Sequence, residues 1–185
     1  MARGKRVSKG RKINPTFYVF CEGESEKEYV NLLKRKYRIP IEIKSKVEGS
    51  GITERSINNF KKQSPTHPKD KTFLIYDMDV ASIVLRLRSI KNVNLILSNP
   101  CFELWLLLHY KDQKGEYNCS QTENQLNRIS GGYHKGGISP EMKVHLNENS
   151  QMAIDRAKGL NTDNNPSTGV YFLLEELEKI KRLKG

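Results

Sequence analysis

The sequence has few cysteines, no long apolar run and no acidic residue before Glu22. Its three cysteines, Cys21, Cys101 and Cys119, form no CxxC pair, which argues against a disulfide framework or a cysteine-rich zinc site. No apolar run is longer than residues 104–108, which are too few for a membrane span. No apolar stretch follows the basic N-terminus as a secretory signal requires. We therefore expect a cytoplasmic protein in a reducing environment, with no membrane association.

Nucleotide-cofactor and serine-hydrolase sequences are also missing, because no GxGxxG, P-loop or GxSxG occurs. Positive charge, in contrast, is abundant: 32 Lys and Arg residues stand against 21 Asp and Glu residues, a formal net charge of +11 in 185 residues. A chain of this length can bury the core of one domain. The charge favours a polyanionic partner such as DNA or RNA.

Residues 1–13 concentrate that charge in a segment without hydrophobic periodicity. We interpret it as a flexible basic arm, either a solubilising tail or a clamp on the phosphate backbone of a nucleic acid. Its six basic residues are the candidate nucleic-acid contacts: Arg3, Lys5, Arg6, Lys9, Arg11 and Lys12.

Short apolar runs at residues 16–21, 41–47, 72–76 and 93–97 predict four strands that alternate with helices. This alternation predicts an α/β fold with a mainly parallel four-stranded sheet flanked by helices. Residues 14–110 form the predicted core, and residues 111–185 a helical and loop extension that packs on it. In such sheets, functional sites lie at the carboxyl ends of the strands.

Three helix starts are predicted from capping patterns. Ser25 and Glu28 have the spacing of a capping box, and Asn99-Pro100 has the pattern of a cap and first turn for a buried helix over residues 101–110. Asn165-Pro166 is the third, and predicts the start of the last helix.

Asp77 and Asp79 directly follow the predicted third strand. Residues i and i+2 of an extended segment point to the same side, so both carboxylates face one place at the sheet edge. Two like charges this close favour a bound cation, and oxygen ligands favour Mg²⁺ or Mn²⁺ over zinc. The alternative is one aspartate that caps the next helix and one that is solvated.

Glu22 and Glu103 are the further carboxylate candidates. Glu22 follows the first strand, and lies opposite Asp77 if strands one and three are neighbours; alternatively it is a turn glutamate that interacts with the dipole of the next helix. Glu103 lies in the buried helix, where a carboxylate requires a salt bridge, hydrogen bonds or a cation. Lys135, in a glycine-rich loop, is either a phosphate-neutralising residue or an ordinary loop lysine.

Taken together, these residues resemble a known pattern. A strand that ends in Glu-Gly, a strand that ends in Asp-x-Asp and a basic surface resemble the Toprim fold of topoisomerases, primases and some nucleases. More specifically, four segments in the same order resemble the RloB family: residues 22–26 (EGESE), 77–79 (DMD), 98–105 (SNPCFELW) and 165–168 (NPST).

The RloB resemblance implies a Toprim-like, Mg²⁺- or Mn²⁺-dependent endonuclease of a prokaryotic anti-phage defence or restriction locus. It also implies an ABC-type or AAA-type ATPase as a partner. Carried over to this sequence, the metal ligands are Glu22, Asp77 and Asp79, with Glu103 as a further catalytic residue.

Two alternatives remain open from the sequence. The chain is a non-catalytic nucleic-acid-binding subunit of an ATPase complex if the acidic residues are structural. Residues 73–80 also resemble the first motif of haloacid-dehalogenase-type phosphatases, in which Asp77 would be the nucleophile and Asp79 the general acid. That motif follows the third strand here rather than the first, and no later acidic pair follows a strand.

Overall fold

The computed structural model describes residues 14–37, 42–162 and 164–182. Their strands are β1 (Thr16–Cys21), β2 (Glu42–Val47), β3 (Lys71–Asp77), β4 (Asn94–Asn99) and β5 (Ser167–Thr168). They form a five-stranded sheet in the order β2-β1-β3-β4-β5. The pairs among the first four strands are parallel, and β5 is antiparallel to β4.

Eight α-helices accompany this sheet within the described ranges. A short 3₁₀ turn, Gly49–Gly51, precedes the second of them. The helices are α1 (Glu24–Lys36), α2 (Glu54–Lys61), α3 (Ala81–Ser89), α4 (Glu103–Leu108), α5 (Cys119–Ser130), α6 (Pro140–Glu148), α7 (Ser150–Lys158) and α8 (Tyr171–Arg182).

The sheet is buried on both faces because helices cover each of them. β1 is buried along its whole length, so its aromatic and β-branched side chains alternate between two hydrophobic clusters. Phe17 and Val19 belong to a large cluster that includes α4 and side chains from α5 to α8. Tyr18 and Phe20 belong to a smaller cluster with α2 and α3. The large cluster contains residues both from the predicted core, 14–110, and from the predicted extension, 111–185.

The predicted α/β class and the mainly parallel sheet are confirmed, but the strand count of four is wrong. The fifth strand is Ser167–Thr168, which pairs with Ser98 and Asn99. This pairing also corrects two predicted helix starts. β4 continues through Asn99, so Asn99 does not cap α4, and the last helix begins at Tyr171 rather than at Asn165.

The predicted capping box of Ser25 and Glu28 is also wrong. Gly23 is the N-cap of α1, and the carboxylate of Glu26 accepts a hydrogen bond from the Gly23 amide at 3.1 Å. Ser25 lies inside the first turn, where its hydroxyl is buried and bonds to residues outside the helix. The sheet edge that carries the carboxyl ends of β1, β3 and β4 therefore receives side chains from α1 as well.

Candidate active site

Two carboxylates connect the carboxyl ends of the three central strands. Glu22, directly after β1, accepts a hydrogen bond through Oε2 from the amide of Asp77 at 2.9 Å. Asp77, the last residue of β3, accepts through Oδ1 from the amide of Phe102 at 2.8 Å. Because β1 and β3 are parallel neighbours, their ends meet at one edge, and Phe102 follows β4 at the same edge. Glu22 and Asp77 are therefore adjacent.

Glu103 is the most enclosed carboxylate of this group, with 1% of its surface exposed. Its Oε1 accepts hydrogen bonds from the hydroxyls of Ser25 at 3.2 Å and Tyr133 at 2.8 Å. Its Oε2 is buried and has no hydrogen-bond partner among the described residues. The predicted alternatives for Glu103 included a salt bridge, and the partners that the structure shows are hydroxyls instead. A buried carboxylate oxygen without a hydrogen bond destabilises the folded state unless a bound cation or donor interacts with it.

Glu26 also belongs to this group, although the sequence analysis did not select it. It is 4% exposed, and burial together with the nearby charges of Glu103 and Glu22 raises its pKa to about 7, against the effect of its backbone hydrogen bonds. Its position could have been recognised from the first turn after the Glu-Gly turn, where an acidic side chain at the third helical position reaches back to the helix start. Its place beside Glu103 depends on tertiary packing.

The carboxylates perturb one another strongly. Burial raises the pKa of Asp77 to about 9, and the charges of Glu26, Glu103 and Glu22 add to this rise. Burial also raises the pKa of Glu22; the Asp77 amide opposes the rise, Asp79 adds to it and Lys135 opposes it. Like charges at short range in a poorly solvated place disfavour ionisation unless a cation joins them. Glu22, Glu26, Asp77 and Glu103 therefore form an acidic cluster whose negative charges are not balanced by nearby positive charge.

Lys135 is the cation that bears on this acidic cluster. Burial lowers its pKa, but Glu103, Glu123 and Asp77 outweigh that effect and raise the pKa above its ordinary value. Its Nζ lies 3.5 Å from Glu123 Oε1. The loop that carries it is attached to the cluster, because the Gly136 amide donates to Ser25 Oγ at 2.9 Å. Ser25 Oγ also lies 2.8 Å from the Tyr133 hydroxyl.

The comparison with known families agrees with the family resemblance inferred from the sequence. A family model described as RloB-like protein matches residues 17–177, which is most of the sequence. The chain belongs to the RloB-like protein family. No curated protein and no solved structure matched it. The resemblance inferred from the four sequence segments is thus confirmed at the level of the family.

Not every predicted site residue of this RloB-like chain lies in the cluster. Asp79 is exposed, and its influence on the site is the charge it places near Glu22. The six basic residues of the predicted arm, Arg3, Lys5, Arg6, Lys9, Arg11 and Lys12, lie outside the described residues. Tyr133 and Ser25 were missed, because the contact between them joins positions 108 residues apart, and no local sequence signal announces it.

The arrangement of these residues and the chemistry of their donor atoms differ in how well they suit a metal ion. Among the described residues, no group of three or more His, Cys, Asp or Glu side chains is arranged to hold a metal ion. The chemistry of the donors nevertheless suits a hard cation, because they are carboxylate oxygens and include the unpartnered Oε2 of Glu103. Since Asp79 is exposed, another of its staggered rotamers is accessible at little cost.

No helix in the described part of the chain is both long and apolar enough to cross a membrane.

Proposed function

We propose that this chain is a metal-dependent nuclease that hydrolyses phosphodiester bonds in DNA or RNA, with a Toprim-like sheet as its scaffold. The observation that carries the proposal is the adjacency of Glu22 and Asp77 at the carboxyl edge of the parallel sheet, where Glu22 Oε2 and the Asp77 amide are 2.9 Å apart. The family resemblance supports a role in prokaryotic anti-phage defence, in the cytoplasm and with an ABC-type or AAA-type ATPase as partner.

Asp77 and Asp79 are the proposed direct ligands of Mg²⁺ or Mn²⁺, with Glu22 beside the ion, and Glu103 supports the same site from its buried side. When bound, such an ion would neutralise charge on a phosphodiester and would make a neighbouring water easier to deprotonate. Burial and, after it, the charges of neighbouring carboxylates raise the pKa of Asp77 and Glu26, and a bound cation would relieve the second of these effects.

Glu22 is the proposed general base. Its Oε2 is occupied by the Asp77 amide, so Oε1 is the atom that accepts a proton from the attacking water. Burial raises the pKa of Glu22, and a carboxylate with a raised pKa is a better proton acceptor than an unperturbed one. The water oxygen bonds to phosphorus as the bond to the leaving oxygen breaks; the leaving oxygen keeps the electron pair of that bond and takes a proton from solvent. Lys135 is the residue that neutralises the phosphate from the glycine-rich loop.

The test is cleavage of DNA and RNA by the purified protein with Mg²⁺ or Mn²⁺, alone and together with its partner ATPase. Asp77→Asn should lose cleavage but keep its fold, because an asparagine oxygen can still accept from the Phe102 amide. Asp155→Asn, which changes an exposed carboxylate on α7, is the matched control and should cleave like the unmodified protein. Full cleavage by Asp77→Asn would overturn the proposed catalytic role.

A second candidate function is a non-catalytic nucleic-acid-binding subunit. One observation favours it: within the described ranges no three potential ligands are already arranged around a metal position. If this candidate is correct, the unmodified protein binds nucleic acid and cleaves none under any of these conditions. Asp77→Asn would then bind as well or more tightly, since it removes a negative charge near the phosphates.

A further inference from the structure

An open groove of about 440 Å³ has Asp79 among its lining residues. Tyr117 lines its wall, and Asn118 and Gln121, at the start of α5, line it beside the tyrosine. The volume lies within the range of about 300–1,000 Å³ that is typical of small-molecule sites. Asp79 lies two residues after Asp77 in the chain, so the groove begins beside the proposed catalytic cluster.

The position of Tyr117 is fixed by the fourth segment of the family pattern. The side-chain amide of Asn165 accepts from the Tyr117 amide at 3.3 Å and donates to the Tyr117 carbonyl at 2.7 Å. The strand after Asn165 is tied to the sheet by the hydroxyls of Ser98 and Thr168, 2.8 Å apart. The backbone of Tyr117 is thus held in a constant place relative to the carboxyl edge of the sheet.

Two hydrogen-bond donors at the groove remain available for a ligand. Asn118 Oδ1 accepts from the Gln121 amide at 2.8 Å, and Gln121 Oε1 accepts from the Asn118 amide at 2.9 Å. This reciprocal capping occupies the oxygen of each side chain. Within the described residues, neither side-chain NH₂ group has a hydrogen-bond partner, so both can donate to acceptors of a bound group.

The charge of the groove indicates which part of a nucleic acid it suits. Its ionisable lining residues include the carboxylates Asp79 and Glu116, and no lysine or arginine lines it in the described structure. Carboxylates repel a phosphate, which would have to stay near Lys135 and the acidic cluster with its cation. A neutral heterocyclic base meets no such repulsion, and an aromatic ring stabilises it by stacking.

We infer that the groove binds one unpaired nucleobase of the substrate, stacked on Tyr117, with its edge at the amide groups of Asn118 and Gln121. This inference rests on the proposed function in that it takes the substrate to be a nucleic acid. A base in a duplex is not free to leave its stack without loss of pairing. The inferred substrate is therefore single-stranded, or carries an unpaired base next to the cleaved phosphodiester.

The test uses short DNA and RNA oligonucleotides that contain 2-aminopurine, single-stranded and as duplexes, in buffer with EDTA. Affinity is measured by fluorescence anisotropy, and stacking by quenching of 2-aminopurine emission. We expect quenching with the single strands, and binding about 5- to 100-fold weaker for Tyr117→Leu. Tyr117→Phe should bind like the unmodified protein, because the ring is retained.

Tyr171→Leu is the matched control. Tyr171 is also a half-buried tyrosine with a lysine near its ring, since Lys158 Nζ is 5.7 Å from its centroid and Lys111 Nζ is 5.9 Å from that of Tyr117. Tyr171 is the first residue of α8 and lines a different cavity. Tyr171→Leu should keep both affinity and quenching. If Tyr117→Leu does not fold, Asn118→Ser serves instead: it keeps a capping oxygen, removes the free NH₂ donor without adding charge and should weaken binding.

The outcomes separate this inference from the proposed nuclease. Equal single-strand affinity of Tyr117→Leu and the unmodified protein, absence of quenching, or absence of any oligonucleotide binding would each overturn the base site. Tyr117-dependent binding without cleavage supports the base site and overturns the nuclease. Cleavage that needs Asp77 but not Tyr117 supports the nuclease and overturns the base site.

Discussion

Tyr133 joins the glycine-rich loop to the acidic cluster through a single hydroxyl. That hydroxyl lies 2.8 Å from Glu103 Oε1 and 2.8 Å from Ser25 Oγ, and all three residues are buried. Tyr133→Phe keeps the ring but leaves Glu103 with one fewer donor. We expect the free energy of unfolding, measured by urea denaturation, to fall by about 1–3 kcal/mol.

Tyr18→Phe is the control for that measurement. Tyr18 is fully buried too, but its hydroxyl has no hydrogen-bond partner among the described residues. Removing a buried hydroxyl that is not satisfied should leave stability unchanged or raise it. Equal losses in the two variants would show that the Tyr133 hydroxyl does not stabilise Glu103.

Glu26 is a residue whose charge opposes folding. Its pKa is about 7 in the folded chain, above that of an unfolded glutamate, because of burial and the neighbouring carboxylates. A carboxyl group with a raised folded pKa stabilises below its unfolded pKa, and that stability is lost as pH rises through the folded value. In metal-free buffer we therefore expect Glu26→Gln to be more stable than the unmodified protein, increasingly so from about pH 5 to pH 8.

Glu24→Gln provides the comparison in the same helical turn. Glu24 is exposed and pairs with Lys27 at 3.1 Å, so its neutralisation should change the melting temperature little at any of these pH values. If Glu26→Gln shows the same flat profile in thermal melts, the carboxylates do not repel one another as inferred.

Among the secondary-structure elements, the sequence predicted those whose signal is local. β1 has the predicted bounds, because an apolar run of aromatic and β-branched residues contains its own signal. β5 has two residues and no periodicity, and its pairing with β4 is a tertiary contact. The adjacency of Glu22 and Asp77 was predictable from strand order and parallel pairing. The places of Glu26 and Tyr133 were not, since they depend on rotamers and on a loop distant in the chain.

The loop that carries Lys135 depends on the conformation of Gly136. Its φ is +81°, in the left-handed region, while an added Cβ would meet Glu24 Cβ at an acceptable 3.4 Å. Gly136→Ala is therefore limited by backbone conformation rather than by space, at a cost of about 1–2 kcal/mol. We expect a lower melting temperature together with weaker cleavage, because Lys135 is displaced when the bond from the Gly136 amide to Ser25 weakens.

Gly115→Ala tests whether any loop alanine has this effect. Gly115 has no positive φ, and the nearest atom to an added Cβ is Gln113 Nε2 at 3.8 Å. Its stability and cleavage should match those of the unmodified protein. Loss of stability without loss of cleavage in Gly136→Ala would show that the loop does not position Lys135.

At the scale of the whole molecule, the acidic cluster is set in a chain of net charge +11. The cluster itself repels phosphate, whereas the chain as a whole attracts a polyanion from a distance. These opposite fields are compatible if the basic residues hold the nucleic-acid backbone and a cation completes the site. The affinity of the protein for nucleic acid should then depend strongly on salt concentration.

The six basic residues before Ile13 are the densest part of that positive charge. A variant that begins at Ile13 should bind DNA and RNA more weakly, with a flatter dependence of log affinity on log salt. Each lost phosphate contact on duplex DNA removes about 0.9 from that slope. A full-length variant with glutamine at all six positions should show the same flattening, since charge rather than length is the cause. The melting temperature should stay nearly constant in both variants, because an aperiodic basic segment adds little to a hydrophobic core. Unchanged binding with a lowered melting temperature would show instead that this segment stabilises the fold and does not contact nucleic acid.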